Sequence, residues 1–476
     1  MATIHFIQDA IVNESLGVMG LSAYLKQRGH RVDLSLASDH RHVRSLLEAI
    51  GRARPDLVAF SVMTPQAGFY QQLAQAVKRH IKVPVIWGGA HPTFMPDVVE
   101  QTAGVDIIAM GEAEEPLAEL MDRIHDRPTD IPGMRFRVGD HWVRNEMGAL
   151  VEDLDRYPFP DRLLLYGKSR LLRGFALKRF LTGRGCPFAC GFCFEPSLRN
   201  LYRGKGRFVR RHSPLYVIEE IMEVLTAYPG GRHVHFSDDT FNLDPRWLSD
   251  FLPAYARRVG LPFTCNLAVP LITEETVEML RDAGCRGVWI GLESGNEERR
   301  TLVLNKAVPD DRYEAAAELL GKNRIRLITN NMFALPGETV EDAVQTVRFN
   351  RRLRVYAMRT SILKVYRGTQ LADYGLASGY CAPEGRFTYR VKTAARDARA
   401  FDNLLWMSFF LLRFPVSLRM AVRILRWPGT RFFRWLILFG YLTEVRLFRT
   451  PLWQAVWYFS QSPKLFLEGI TRRQDE

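Results

Sequence analysis

Gly185-Cys186-Pro187-Phe188-Ala189-Cys190-Gly191-Phe192-Cys193 is the stretch on which the reading of this chain turns. The spacing C-x3-C-x2-C brings three thiolates into one short loop and supplies no fourth. A cubane iron–sulfur cluster held by three protein thiolates keeps one iron open to a substrate or cofactor, whereas clusters that only carry electrons usually have every iron capped. The open iron is then the seat of the chemistry. Structural zinc is the bland alternative, but it wants four closed ligands, and no partner C-x2-C stands elsewhere in the sequence.

Outward from the loop, residues from about 175 to 370 alternate β-like runs with helical patterns. Strands are expected near 178–182, 233–236, 263–267, 286–291, 326–330 and 359–366, with helices such as Ser213–Leu225 and Thr273–Ala283 between them. The second of these helices opens on Thr273-Glu274-Glu275-Thr276 and closes on Gly284, the expected start and stop chemistry. The cysteine loop follows the first of these strands, at the end of a β/α barrel where active sites are built.

Residues 1 to about 127 show a second, doubly wound rhythm, with strands expected at Ile4–Ile7, Arg31–Leu36, Leu57–Ser61, Val83–Trp87 and Asp106–Met110. Tyr70, Leu73, Ala74, Val77 and Ile81 make one helical stripe. Ligands of such sheets sit beyond the carboxyl ends of the strands, where small and polar residues fall here: Ser61-Val62-Met63-Thr64, Gly88-Gly89-Ala90-His91 and Gly111-Glu112. A hairpin, Met134–Val138 with His141–Asn145, turns at Gly139-Asp140. The Pro-punctuated segment 154–161 after it reads as a domain boundary.

The 476 residues exceed one ordinary core, and their length suggests roughly two to four domains. Six cysteines, three of them in one loop, exclude a disulfide framework and point to a reducing cytoplasm. Cys265 and Cys285 fall on expected strands, where a free cysteine is a small buried apolar residue; Cys381 reads as a bystander. Met1–Ile7 reads as a first strand and not as a secretory signal.

The net charge of +13 is uneven, since the last 76 residues hold 11 basic and 5 acidic side chains. The same tail carries Trp406, Trp427, Trp435, Trp453 and Trp457. Such a mixture suits a helical cap over the barrel mouth with arginine on its wet face, or a membrane interface where arginine meets lipid phosphate; nucleic acid is the weakest reading. The uncharged stretch Asn403–Leu412 spans 10 residues, about half of a membrane-crossing helix. Beyond about 385 the strand patterns disappear and helical ones take over.

With these motifs in order, the chain resembles the cobalamin-binding branch of the radical S-adenosylmethionine (SAM) superfamily over nearly all of residues 1–385. The resemblance rests on Cys186, Cys190 and Cys193, with the aromatic Phe192 before the last cysteine. Asp238 and Asp239, in Phe236-Ser237-Asp238-Asp239-Thr240-Phe241, occupy the place where the family receives the SAM amino group. Glu293 and Ser294, in Gly291-Leu292-Glu293-Ser294-Gly295, resemble the segment contacting the ribose and methionine portions of SAM. Asn305-Lys306, Leu335-Pro336-Gly337-Glu338 and Tyr366-Arg367-Gly368-Thr369 follow in the expected order, more loosely. Ser61, Thr64, Gly88 and Gly89 are similarly placed to the family's cobalamin contacts, the glycines admitting a bulky ligand where a Cβ would collide. The D-x-H-x-x-G pattern that ligates cobalt in some cobalamin domains is missing: the loop reads Asp9-Ala10-Ile11-Val12-Asn13-Glu14. The bland alternatives are a strand-end turn and helix cap for Asp238 and Asp239, a solvated loop acid for Glu293, and solvated loop histidines for His40 and His91.

The resemblance implies an α/β protein: a Rossmann-like cobalamin-binding domain (1–130), a linker with a small hairpin (131–172), a partial (β/α)6 radical SAM barrel (173–385) and a basic, Trp-rich helical region (386–476). Its implied cofactors are a [4Fe–4S] cluster, SAM and cobalamin, with a flavodoxin- or ferredoxin-type electron donor and a small-molecule or lipid substrate as partners, no nucleic acid, and a cytoplasmic, peripherally membrane-associated location. Its implied reaction is methylation of an unactivated carbon in a hydrophobic substrate through a 5′-deoxyadenosyl radical and methylcobalamin. Ring closure with the same cofactors, for example on a porphyrin-like pigment, and a non-catalytic corrinoid and iron–sulfur sensor are the alternatives.

Overall fold

The computed structural model describes residues 1–9, 14–40, 42–384, 388–414 and 416–427. The chain divides into two compact units, Met1–Arg173 with Ser197–Arg210, and Gly174–Pro196 with the chain from Arg211 onward.

In the first unit β1 (Thr3–Gln8), β2 (Arg31–Leu36), β3 (Leu57–Ser61), β4 (Val85–Gly88) and β5 (Ile107–Ala109) run parallel in the order β2-β1-β3-β4-β5. This is the flavodoxin-like order, whose direction of winding reverses between β1 and β3. The helix Ala67–His80 buries Tyr70, Leu73, Ala74 and Val77 along the expected stripe; each such side chain contributes about 1.5–3 kcal/mol for a large apolar group. The hairpin β6 (Met134–Val138) and β7 (His141–Arg144) continues the same sheet antiparallel to β5. Ser197–Arg210 joins this unit through specific bonds that no hydropathy pattern announces: Glu112 N–H donates to Tyr202 Oη at 2.8 Å, and Arg210 Nη1 to the Val151 carbonyl at 2.7 Å.

In the second unit β8 (Leu177–Phe180), β9 (His233–Phe236), β10 (Phe263–Asn266), β11 (Cys285–Glu293), β12 (Arg326–Phe333) and β13 (Ala357–Ile362) form a parallel sheet in simple chain order. The intervening helices start at side-chain caps: Ser213 accepts from Tyr216 N–H, Asp244 from Trp247 N–H, and Thr273 from Thr276 N–H. The core between sheet and helices includes Phe180, Phe236, Phe263, Val288 and Ile290. Cys265 and Cys285 lie inside it, as expected.

Two expectations change. The sixth strand ends at Ile362, and β14 (Val365–Tyr366) belongs instead to a small antiparallel sheet with β15 (Cys381–Glu384) and β16 (Thr388–Val391). Strands therefore continue beyond 385; at two to four residues each they are too short to show a hydropathy period. The helix Ala395–Arg413 does not cap the mouth. It buries Ala400, Phe401, Leu404 and Met407 in the barrel core, and Thr360 on β13 lies against its Leu405 carbonyl. No helix among the described residues is long and apolar enough to cross a membrane. Trp435, Trp453 and Trp457 lie outside the described residues, as do Ala10–Asn13 of the loop lacking the cobalt-ligating pattern.

Candidate functional site

The cysteine loop leaves β8 and is pinned on both sides. Gly191 N–H donates to the Leu304 carbonyl and the Gly191 carbonyl accepts from Leu371 N–H, each at 2.8 Å. Asn305 Nδ2 holds the Ala189 carbonyl at 2.8 Å. Phe192 is half-buried against a small apolar cluster that includes Leu304, Leu335, Leu371 and Cys381, so its ring anchors the loop. Cys381 sits buried in that cluster, which accounts for it as a packing residue.

Cys186, Cys190 and Cys193 are each partly exposed. Glu195 organises two of them: its carboxylate accepts from Cys186 N–H at 2.9 Å, and its own N–H donates to Cys193 Sγ at 3.5 Å. Cys186 Sγ faces Thr240 Oγ1 at 3.7 Å. Burial raises all three thiol pKa values, that of Cys193 to about 11, and neighbouring acids and thiols raise them further. Bare thiolates are thus disfavoured here, while a shared cationic metal centre would displace their protons. Three thiols on one loop, a hydrogen-bond donor to sulfur and the absence of a fourth cysteine nearby in sequence fit a three-thiolate cluster.

The two aspartates after β9 separate. Asp238 is buried; its Oδ1 accepts from Thr182 N–H at 3.0 Å and from Thr182 Oγ1 at 2.7 Å, and its carbonyl accepts from Asn266 Nδ2 at 2.8 Å. Arg211 Nη1 reaches the same threonine oxygen at 2.9 Å and its guanidinium lies over Trp247. Burial nevertheless raises Asp238 to about 6. Asp239 is exposed, without a hydrogen bond or ion pair among the described residues, and its charge raises the Cys186 and Cys193 thiols. Neither caps the following helix, since Asp244 does.

Glu293 ends β11 in the left-handed region, φ +68°, just after a bulge. It is buried and paired with Lys306, Oε1 to Nζ 3.2 Å, so the solvated-acid reading fails. Lys306 Nζ and Tyr313 Oη both donate to the Gly291 carbonyl, at 2.6 and 3.0 Å. Both charges of the pair act on Cys190, the ammonium lowering and the carboxylate raising its thiol. A Cβ at Gly291 would stand against the Glu293 carboxylate and the Lys306 ammonium, so both side-chain ends would have to shift. Ser294 is fully buried, its hydroxyl accepting from Asn296 N–H at 3.3 Å. Thr182, Arg211, Glu195 and Thr240 were not legible as site residues, because only contacts made in space single them out.

In the first unit Ser61 ends β3 and Thr64 follows it, while Gly88 ends β4 and Gly89 follows, beside the β1/β3 reversal. Gly89 has φ +96°, and a Cβ there would stand 3.0 Å from Val62 N and 3.1 Å from its carbonyl oxygen. That glycine is required by the backbone just after β3. At Gly88 a Cβ would meet only Ala109, at 3.8 Å. His91 is buried, contrary to the solvated reading, with Nδ1 3.3 Å from Thr64 Oγ1 and a pKa lowered by burial to about 4. Glu14, at the far end of the loop after β1, pairs with Arg162 at 3.2 Å.

Residues 11–121 match the B12 binding domain family, and residues 180–349 match the Radical SAM superfamily. The chain belongs to the cobalamin-binding radical SAM enzymes. Its cofactors are SAM, cobalamin and a [4Fe–4S] cluster. It is 27% identical over 339 residues to an uncharacterized methyltransferase, PH0819, of Pyrococcus horikoshii, covering 70% of this chain and 72% of that protein. It is 24% identical over 326 residues to the anaerobic magnesium-protoporphyrin IX monomethyl ester cyclase of Cereibacter sphaeroides, covering 65% of this chain and 52% of that one, so it spans about half the cyclase's length. Among solved structures, the cobalamin-dependent SAM radical enzyme OxsB with aqua-cobalamin bound shares the fold, with a TM-score of 0.70, 15% identity, and coverage of 94% of this chain and 80% of that chain.

Proposed function

We propose that this radical SAM enzyme is a methyltransferase that acts on an unactivated carbon of a hydrophobic substrate. The observation that carries the reading is the setting of the cysteine loop: Glu195 is bonded to Cys186 N–H and Cys193 Sγ, and Asn305, next in sequence to the Lys306 that pairs with Glu293, holds the Ala189 carbonyl. Cys186, Cys190 and Cys193 would hold the cluster. Asp239 and Lys306 offer opposite charges, suited to the ammonium and carboxylate of an amino acid such as the methionine portion of SAM, while the Glu293–Ser294 turn and Phe192 complete the surround. Asp238, taken up by Thr182, sets the position of Asp239. Ser61, Thr64, Gly88 and Gly89 would line the cobalamin seat. When bound, these cofactors supply one-electron cleavage of SAM, a hydrogen-abstracting radical and a transferable methyl group.

Similarity to a methyltransferase over more of both chains favours methyl transfer; similarity to a cyclase keeps ring closure as the second reading. The described tail bears on substrate access: Phe414, Met420 and Trp427 are exposed among the exposed Arg413, Arg419 and Arg423, a composition suited to anionic lipid headgroups. Anaerobic reconstitution with cluster and cobalamin, followed by incubation with SAM, reductant and candidate substrates, tests the function. S-adenosylhomocysteine and 5′-deoxyadenosine rising together with a methylated product support methyl transfer. Deoxyadenosine alone supports ring closure, and neither product under any condition sinks the enzymatic reading. Cys190→Ala is expected to abolish deoxyadenosine formation. Co-sedimentation with phosphatidylglycerol vesicles but not with phosphatidylcholine ones is the expected result for the tail.

A further inference from the structure

The small antiparallel sheet packs on the cysteine loop. Val365 on β14, Cys381 on β15 and Val391 on β16 share the apolar cluster in which Phe192 is seated. Phe194, on the other side of Cys193, has its ring 5.8 Å from that of Tyr366 on β14. The helix Gln370–Ala377 is tied to the same loop, since Leu371 N–H donates to the Gly191 carbonyl at 2.8 Å. A single apolar cluster therefore lies between the loop and these strands.

The outer face of the sheet is cationic. Alternation that turns Val365 and Val391 inward turns their neighbours outward, and Lys364, Arg390 and Lys392 are exposed. Their side chains make no ion pair or hydrogen bond among the described residues. Val365 pairs with Tyr389, so Lys364, just before the one, and Arg390, just after the other, are neighbours across the two strands. Like charges so placed oppose folding. Arg367 adds a further cation, its Nε 3.3 Å from Tyr389 Oη. Among the described residues of 364–392, these four stand against only Asp373 and Glu384, and Glu384 lies beside Thr388 rather than beside Arg390.

We propose that this face is where an acidic one-electron carrier protein docks to reduce the cluster. The proposal rests on the reading that Cys186, Cys190 and Cys193 hold that cluster. Electron transfer weakens steeply with distance, so a carrier has to approach where the cover over the ligand loop is thin. Encounters of this kind bury little surface and are steered by opposite charge, which unpaired lysine and arginine side chains supply here. A lipid surface would need apolar side chains to insert, whereas the cations are flanked across the strands by Ala382 and Thr388. One electron leaves the reduced carrier and enters the cluster, and no atom changes place.

The test uses the full-length protein, reconstituted anaerobically with its cofactors, and two acidic probes, a flavodoxin and a plant-type ferredoxin. Binding is read by calorimetry with the oxidised carriers, and electron delivery by the 5′-deoxyadenosine formed with the reduced carriers or with dithionite. Lys364→Glu combined with Arg390→Glu is expected to weaken the binding of at least one carrier about tenfold and to slow carrier-driven formation by a similar factor. Dithionite-driven formation and the unfolding midpoint are expected to match the parent. Arg390→Gln alone is expected to act in the same direction by about threefold, and Arg390→Lys to behave as the parent. Arg286→Glu, at an exposed position at the start of β11, is the control and is expected to change nothing. Raising the salt from about 0.02 to 0.2 M is expected to slow the carrier-driven rate of the parent and hardly that of the double variant. A carrier-driven rate unchanged by the reversal overturns the proposal, as does an equal fall with dithionite or an absence of binding by both carriers. Loss of sedimentation with phosphatidylglycerol vesicles beside an unchanged carrier affinity overturns it too, and gives the face to lipid. No deoxyadenosine with dithionite, beside carrier binding that still depends on Lys364 and Arg390, removes the radical reading and leaves the docking surface standing.

Discussion

Lys306 and Glu293 form an ion pair, Nζ to Oε1 3.2 Å, between the end of β11 and the turn that pins the cysteine loop. Their side chains are 17% and 10% exposed, so each charge depends on the other. The pair holds a glutamate with positive φ, a conformation that costs about 1–3 kcal/mol and persists where the surroundings enforce it.

Lys306→Met leaves the Glu293 carboxylate buried without its cation, and the loss of stability is expected to be about 3 kcal/mol. Urea unfolding of the apoprotein checks the energy. Calorimetric titration with SAM is expected to show an affinity at least tenfold weaker; an unchanged affinity would remove Lys306 from the SAM site.

Asp239→Asn and Asp238→Asn are expected to part company. Asp239 contacts no protein partner among the described residues, so its amide is expected to weaken SAM binding by about tenfold and leave the unfolding midpoint unchanged. Asp238→Asn turns an amide toward two Thr182 donors and is expected to cost about 1–3 kcal/mol. Reversed effects would exchange their roles.

Gly88 and Gly89 separate ligand from fold. Gly89→Ala drives a Cβ toward Val62 backbone at positive φ and is expected to destabilise the first unit by about 1–3 kcal/mol, read by thermal unfolding. Gly88→Ala meets only Ala109, so its unfolding is expected to match the parent, while retention of cobalamin on gel filtration falls. Full retention would place the corrin away from β4.

Glu338 carries a pH signature. Its carboxyl is buried in the turn after β12, where Leu335 N–H donates to it at 3.0 Å, and burial raises its pKa from 4.5 to about 8. The folded state therefore binds a proton that the unfolded state releases, and the stability this contributes is full below pH 4.5 and lost as pH rises toward about 8. Glu338→Gln is expected to flatten that dependence, gaining on the order of 2–4 kcal/mol over the parent at high pH and little at pH 4. Parallel slopes in the two proteins would show that the carboxyl titrates normally.

Much of the architecture was legible because it rests on local patterns. Arg31–Leu36, Leu57–Ser61 and His233–Phe236 are strands at the expected residues, and Thr273 caps the expected helix. Alternation and capping are properties of neighbouring residues. The failures have the opposite character. The burial of His91 and the passage of Ser197–Arg210 into the first unit depend on partners far away in sequence, as does the docking of Ala395–Arg413 against β13.

The sequence by itself determined the three thiols, the strand that delivers them, and the order of the acidic and glycine-rich turns, since spacing along a chain sets which ligands one loop can offer. Only the tertiary structure decided which of those residues remain available to cofactors. Asp238 is consumed by Thr182, Glu293 is tied to Lys306, and Gly89 answers to Val62. A buried polar group must find a partner or pay for its desolvation, and the partner is chosen by the fold.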